Sequence, residues 1–289
     1  MSVNQKRAGG GYAAALAVGP ALLVITVCLI LPLITLLRYS FNRFSPRELM
    51  VSAFTFENYL RFFSEPFFQE VMLTTLGMAF ACTLSALILG FPVAYFMART
   101  KSRFKSIILI VILFPLLIGN VVRAAGWMAF LGRRGVLNVV LMHYGIIDQP
   151  LEILYTPFAV YLGLLGVMLP FMILTLQGVL EGIDFTLVDA AHNLGARPVD
   201  SFRYIVLPLS VAGIAAGSVL VFMVAMNAYA TPFLLGGSAF KMMSPTLYHQ
   251  ISVASNWPFG AALAFILITV TFVATTFSTY LLSRQRWRG

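Results

Sequence analysis

The chain has 289 residues, of which 60% are hydrophobic and only 10% charged, with a mean hydropathy of +0.91 and a formal net charge of +9. A soluble domain carries about 45–50% apolar and about 25% charged residues, so this composition excludes a soluble globular protein and a disordered one. It also excludes an outer-membrane barrel, whose strands alternate apolar and polar residues and give no long uncharged runs.

Six apolar stretches are long enough to cross a bilayer, near 13–37, 71–98, 106–130, 156–180, 207–229 and 259–282. A span takes about 20 helical residues. In lipid only helices and closed barrels satisfy their own backbone groups, so these stretches are predicted to be helices. The first is not a cleaved signal: its apolar run is too long, and no small-residue cleavage site follows it. Pro20, Pro32, Pro92, Pro115 and Pro170 recur inside the spans. Each removes a backbone donor and can kink its helix. They fit ordinary membrane-helix proline, and they fit hinges of a moving pathway.

Lys and Arg counted by loop set the orientation. Lys6 and Arg7 lie in the N-terminal tail, Arg99, Lys101, Arg103 and Lys105 join the second and third spans, and Arg284, Arg286 and Arg288 close the chain. With six spans these segments share one side, which the positive-inside rule makes the cytoplasm: N-in and C-in. The opposite loop from 38 to 70 balances its Arg and Glu residues. The basic excess therefore reads as loop topology, not as a nucleic-acid face. Cys28 and Cys82 sit in apolar runs and suggest neither a disulfide framework nor a metal site.

The loop after the fourth span is unlike a simple basic loop. Asp184 or Thr186 can cap a helix, and Thr186 and Asp189 have capping-box spacing, with Asp for the preferred Glu. Leu187, Ala190, Ala191 and Leu194 form a helical apolar stripe. Gly195 suits the left-handed residue that ends a helix. Pro198 begins a second short helix, and Pro208 marks entry into the fifth span. A membrane-surface helix is rich in Lys and Arg on its polar face. This one offers Asp189, His192 and Asn193, which favours a groove on a partner.

These residues resemble the EAA signature of binding-protein-dependent ABC importer permeases: an acid, two alanines, Gly six residues after the acid, then a hydrophobic-x-Leu-Pro close. Here they are Asp189, Ala190, Ala191, Gly195, Ile205, Val206, Leu207 and Pro208, with Asp in place of the usual Glu. The resemblance implies an all-α, six-span type I permease fold. It implies a cytoplasmic tail at 1–12, a transmembrane permease domain at 13–283 with a coupling loop at 184–208, and a cytoplasmic basic tail at 284–289. Asp189, Ala190, Ala191, Gly195, Ile205, Leu207 and Pro208 would then dock against a cytoplasmic ATPase. Two ATPase subunits, a second permease of paralogous type and a periplasmic solute-binding protein are the implied partners, with the bilayer around the spans and no nucleic acid.

From about Asn58 onward the chain resembles the polyamine branch of these permeases. The likeness runs through Gly90-Phe91-Pro92-Val93-Ala94-Tyr95, the stretch from Pro115 to Asn138 and Thr231-Pro232-Phe233-Leu234-Leu235-Gly236-Gly237, and ends with Asn256-Trp257-Pro258-Phe259-Gly260. Where that branch carries a Gly-acid-aromatic run, this chain has Asn227-Ala228-Tyr229. The implied cargo is a polyamine, an opine or an amino-acid-like solute.

Arg123 near the outer end of the third span is an interfacial anchor that snorkels, or a gate in the pathway. Trp127, one turn on, is belt aromatic or pathway wall, within reach of a cation–π contact from Arg123. Asn227 and Tyr229 line the pathway or bond a neighbouring helix. His143, His192 and His249 are dispersed, and no phosphate loop of the G-x-x-x-x-G-K-[ST] form occurs, so ATP hydrolysis and any cofactor are expected elsewhere. The alternatives are an ion-coupled secondary transporter, which calls for intramembrane acids that the spans lack, and a membrane-embedded enzyme, which calls for a convergent catalytic cluster.

Overall fold

The computed structural model describes residues 18–100, 102 and 104–285, with side chains as far as 280. Lys6, Arg7, Lys101, Arg103, Arg286 and Arg288, the tail at 1–12 and the start of the first span lie outside the described residues, as does the side chain of Arg284. The described residues are helical apart from connecting turns and one isolated antiparallel bridge between Arg43 and Val51. In chain order the helices are α1 (Val18–Ser40), α2 (Glu57–Ser64), α3 (Pro66–Arg99), α4 (Phe104–Leu117), α5 (Asn120–Leu131) and α6 (Val136–His143). They continue with α7 (Pro157–Leu180), α8 (Thr186–Asn193), α9 (Pro198–Met226), α10 (Ala230–Gly236), α11 (Met243–Tyr248) and α12 (Trp257–Gln285).

Five of these, α1, α3, α7, α9 and α12, are long and apolar enough to cross a membrane unbroken. The third expected span, 106–130, is not one helix. It is α4 and α5, broken at Ile118 and Gly119, where Phe104–Leu117 and the following Asn120–His143 are bent by 98°. Pro115 weakens the end of α4 by removing one donor. Gly119, extended at ψ 143°, then turns the chain.

The other prolines behave differently. Pro92 and Pro170 sit inside regular helix. Before Pro32 and Pro208 the helix widens into a π turn, at Thr26–Ile30 and Phe202–Val206. A wide turn relieves the clash of the proline ring with the carbonyl four residues back. Consequently Pro208 does not start a span. It lies within α9, which runs unbroken for 29 residues from Pro198.

The chain forms two compact units. The first comprises Met1–Ser64 and Leu247–Phe265. Its segment from 41 to 64 is built, not loose. Buried Asn58 donates to the carbonyls of Ser40 and Asn42, both at 2.8 Å, and Ser40 Oγ and Tyr59 Oη meet at 2.8 Å. Phe41, Phe54, Phe56 and Tyr59 cluster beside that anchor. Asn256 Oδ1 accepts from Phe259 N at 3.1 Å and caps the start of α12.

The second unit comprises Glu65–Thr246 and Ile266–Gly289. Its core is the three-way packing of α3, α7 and α9. Ala79, Cys82, Ala86 and Ala94 of α3 are buried, with Met168, Met172 and Leu176 of α7 and Val221 and Ala225 of α9. Helices in lipid gain little from the hydrophobic effect, so small residues at crossings set how closely they pack. Gly90 of α3 faces Met172 and Ile173, while Gly213 and Gly217 of α9 face Val179 and Met172. Thr75 Oγ1 accepts from Met243 N at 2.9 Å and pins α11 to α3.

Candidate functional site

The segment after α7 forms a short helix ended by a defined stop. Asp184 Oδ1 accepts from the Thr186 amide at 3.0 Å and closes the entry turn. Thr186, through its side chain first and its amide second, holds the Asp184 carboxyl below the usual aspartate range. The expected capping box is not formed: Thr186 is already helical, and the Asp189 carboxylate turns to Arg99 of α3 at 3.4 Å. At the other end Gly195 takes φ +89°. Its amide donates to His192 O at 2.9 Å, and Ala196 N donates to Ala191 O at 3.0 Å. These are the two bonds of a Schellman stop.

Val188 is buried beneath α8. Asp189 and Ala190 are exposed and Ala191 is half-buried. On the stripe Leu187 is 50% exposed and Leu194 89% exposed. The predicted apolar face therefore points away from the unit. Ile205 lies in the π turn of α9, half-buried, while Leu207 and Pro208 are exposed one turn on.

Two ion pairs hold the base of this segment. Besides Arg99–Asp189, Lys105 Nζ of α4 donates to Glu181 Oε1 at 2.7 Å, and Gln177 Nε2 donates to the same oxygen at 2.8 Å. Lys105 first and Gln177 second hold the Glu181 carboxyl below the usual glutamate range. A lowered carboxyl contributes stability that is present above its unfolded pKa and lost as pH falls through the folded value. Between about pH 6 and about pH 8 the contact therefore does not titrate. Glu181→Gln is expected to lower the melting temperature equally at both ends of that window. A loss confined to one end in paired thermal melts refutes it.

The pathway candidates separate into two places. Arg123 is tied to its own helix pair. Its guanidinium donates to Pro115 O at 2.6 Å and to Asn120 Oδ1, so it straps the α4–α5 break. A cation suits the carbonyl end of α4. Among the described residues Arg123 makes no cation–π contact with Trp127, although the spacing puts one within reach. Trp127 instead meets Phe130 edge-on at 6.0 Å and covers Gly163 and Gly166 of α7. Asn227 ends α9, its Nδ2 donating to Met223 O at 2.9 Å. Tyr229 stacks on Phe233 of α10 at 5.3 Å. Removing the strap with Arg123→Leu forfeits two charge-assisted bonds, each worth about 1.5–3 kcal/mol. Hydrogen exchange at 116–122 is expected to rise about tenfold or more. Unchanged exchange there shows that the break holds without Arg123.

Nothing local in the sequence marks Arg99 as a site residue, because its partner Asp189 lies 90 positions away and is one of several acids in its loop. Asn138, which closes one of the stretches of family likeness, has a structural role that the sequence does not show. This fully buried amide donates to the carbonyls of Gly132 and Leu151 and accepts from Leu151 N at 2.8 Å, closing the turn after α6.

Residues 67–288 match the family described as binding-protein-dependent transport system inner membrane component. The chain belongs to this family. It is 35% identical to the spermidine/putrescine transport system permease protein PotB of Escherichia coli over 84% of this chain and 87% of that one. It is 34% identical to the inner membrane ABC transporter permease protein YdcU of the same species, over 84% and 80%. Among solved structures, a bacterial ABC transporter chain involved in alginate import superposes with a TM-score of 0.78 at 19% identity, covering 96% of both chains. The MetNI methionine transporter matches at 0.55, over 74% of this permease and 94% of that chain. The last two likenesses show the shared fold. The all-α permease architecture expected from the spans and the loop is thus the observed one, in a chain of the inner membrane.

Proposed function

We propose that this permease forms half of the translocation pathway of an ATP-driven importer and that α8 is where it receives force from a separate ATPase. The observation that carries this reading is the apolar face of α8. Leu187 and Leu194 stand exposed on a helix whose start and stop are both fixed by hydrogen bonds. A rigid helix with an uncovered apolar stripe fits a groove. In this reading Ala190, Ala191 and Gly195 allow close approach, Asp189 orients the helix, and Ile205, Leu207 and Pro208 carry its displacement into α9. Closure of two ATPases draws two such helices together and opens the spans outward.

The partners are two ATPase subunits, a second, paralogous permease and a periplasmic solute-binding protein. The loop of α8 faces the cytoplasm, with both termini on that side. The 13–283 body with its 184–208 loop works as one coupled unit. The cargo is a small organic solute of the polyamine class, by likeness to PotB. The pathway roles of Trp127, Asn227 and Tyr229 are as walls, and that of Arg123 is as the strap of its elbow.

The test is purification of the chain in mild detergent from its native membrane, with reconstitution of the recovered complex into liposomes. Co-purifying ATPase and second permease, and ATP-dependent uptake of labelled spermidine or putrescine, are expected. Uptake by the chain alone, without ATPase, overturns the proposal.

A further inference from the structure

Arg99 is the last residue of α3 and sits at the centre of a cluster of which the transport reading uses only Asp189. Its guanidinium donates to Asp189 Oδ1 of α8 at 3.4 Å and to Tyr95 Oη at 3.3 Å. The same group lies over the ring of Phe185, 5.4 Å from its centroid, and over Tyr95 at 5.9 Å. Tyr95 and Phe185 meet edge to face at 5.9 Å. Behind them Phe202, at the base of α9, takes Phe91 edge-on at 5.5 Å and Tyr95 at 6.4 Å. Phe91, Tyr95 and Arg99 are spaced by four, so one face of α3 supplies all three. Phe185 and Asp189 bracket the first turn of α8.

We propose that Arg99 is a positioning residue, a clasp that makes α8 and the end of α3 move as one piece. The inference rests on the coupling role proposed for α8. An exposed ion pair adds little to stability, and both partners here are partly open to water, so the value of the contact is geometric. Arginine suits the site because its cation lies over the Phe185 ring while separate N–H groups reach Asp189 and Tyr95 Oη, a fork that a compact lysine ammonium does not supply. The second ion pair, Lys105–Glu181, holds the chain before α8 and touches no residue of the helix. Among the described residues Arg99 is therefore the ionic tie on the helix itself. The apolar face of Leu187 and Leu194 stays free for the ATPase while the opposite side is held to α3. Displacement of α8 then reaches α3 through Arg99 and α9 through Phe202.

The test places spin labels at Phe96→Cys on α3 and His192→Cys on α8, in a chain carrying Cys28→Ser and Cys82→Ala. Both label positions are exposed. The distance distribution is read in the chain alone and in the assembled importer, with and without ATP. The parent is expected to give one narrow distance that ATP does not shift. Arg99→Ala is expected to lose the single narrow peak while ATPase subunits still co-purify at the parental ratio. Arg99→Lys, which keeps the charge and the fold but not the stack, is expected to restore the peak only in part. A narrow peak retained by Arg99→Ala, or a parental distance that shifts with ATP, overturns the clasp. Absence of any ATPase from the parental complex overturns the coupling reading instead, and the chain-alone measurement still decides the clasp.

Discussion

Gly195→Val is expected to abolish uptake while leaving the spans folded, and Gly195→Asn is expected to preserve it. The difference lies in the backbone. Gly195 holds φ +89°, a conformation that L residues adopt at a cost of about 1–2 kcal/mol. A β-branched side chain is worse placed there, whereas Asn visits this region readily. Within the chain a Cβ at this position meets open space, so size alone is not the obstacle. What valine breaks is the stop itself. Rotation of residue 195 out of the left-handed region pulls Ala196 N off Ala191 O and Gly195 N off His192 O. Leu194, the most exposed residue of the stripe, then has no fixed direction. Uptake by liposomes carrying each variant, normalised to co-purified ATPase, checks the prediction. Parental uptake by Gly195→Val removes the case for a rigid coupling helix. Failure of Gly195→Asn shows that the surface facing the ATPase tolerates no side chain.

The same position shows which features a sequence reveals. The stop at Gly195 and the entry at Asp184 are built from neighbours in the chain, so local rules predict them. The elbow is not local in that sense. Pro115 reads like Pro92 and Pro170, which stay inside regular helix. What separates them is Gly119 and a guanidinium eight residues on that satisfies the carbonyl of Pro115, left open where α4 stops. A hydropathy window averages across such a break. Asp189 shows the opposite failure. Its spacing to Thr186 satisfies a local rule, yet an arginine 90 positions away takes the carboxylate. The π turns before Pro32 and Pro208 follow from proline sterics but need the rest of a continuous helix to appear. The segment after α1 shows only charge balance in its sequence, because a single buried Asn58 fixing two carbonyls leaves no periodic signal.

Gly213 and Gly217 were hidden for a related reason: the small-x-x-x-small pattern lies within an apolar run that already read as a span. Their environments differ enough to predict unequal effects. A Cβ at Gly213 falls 2.8 Å from Val179 Cβ, with both Val179 methyls within 3.2 Å. Valine is stiff about χ1, so the neighbour cannot turn aside and α7 and α9 must separate. At Gly217 the nearest atom is Met172 Sδ at 2.8 Å, and the next lies at 3.6 Å. Met has three rotatable bonds and can yield. Gly213→Ala is therefore expected to destabilise by about 1–3 kcal/mol, Gly217→Ala by less, and Gly213→Leu to prevent accumulation. Thermal melts in detergent rank the two alanine variants, and the yield from membranes checks Gly213→Leu. A cycle with Val179→Gly isolates the crossing, because deleting the Val179 side chain removes the atoms that Gly213→Ala strikes. The double variant is expected to recover most of the Gly213→Ala loss. Additivity of the two single effects within about 0.5 kcal/mol would show that the α7–α9 distance is set elsewhere along the helices.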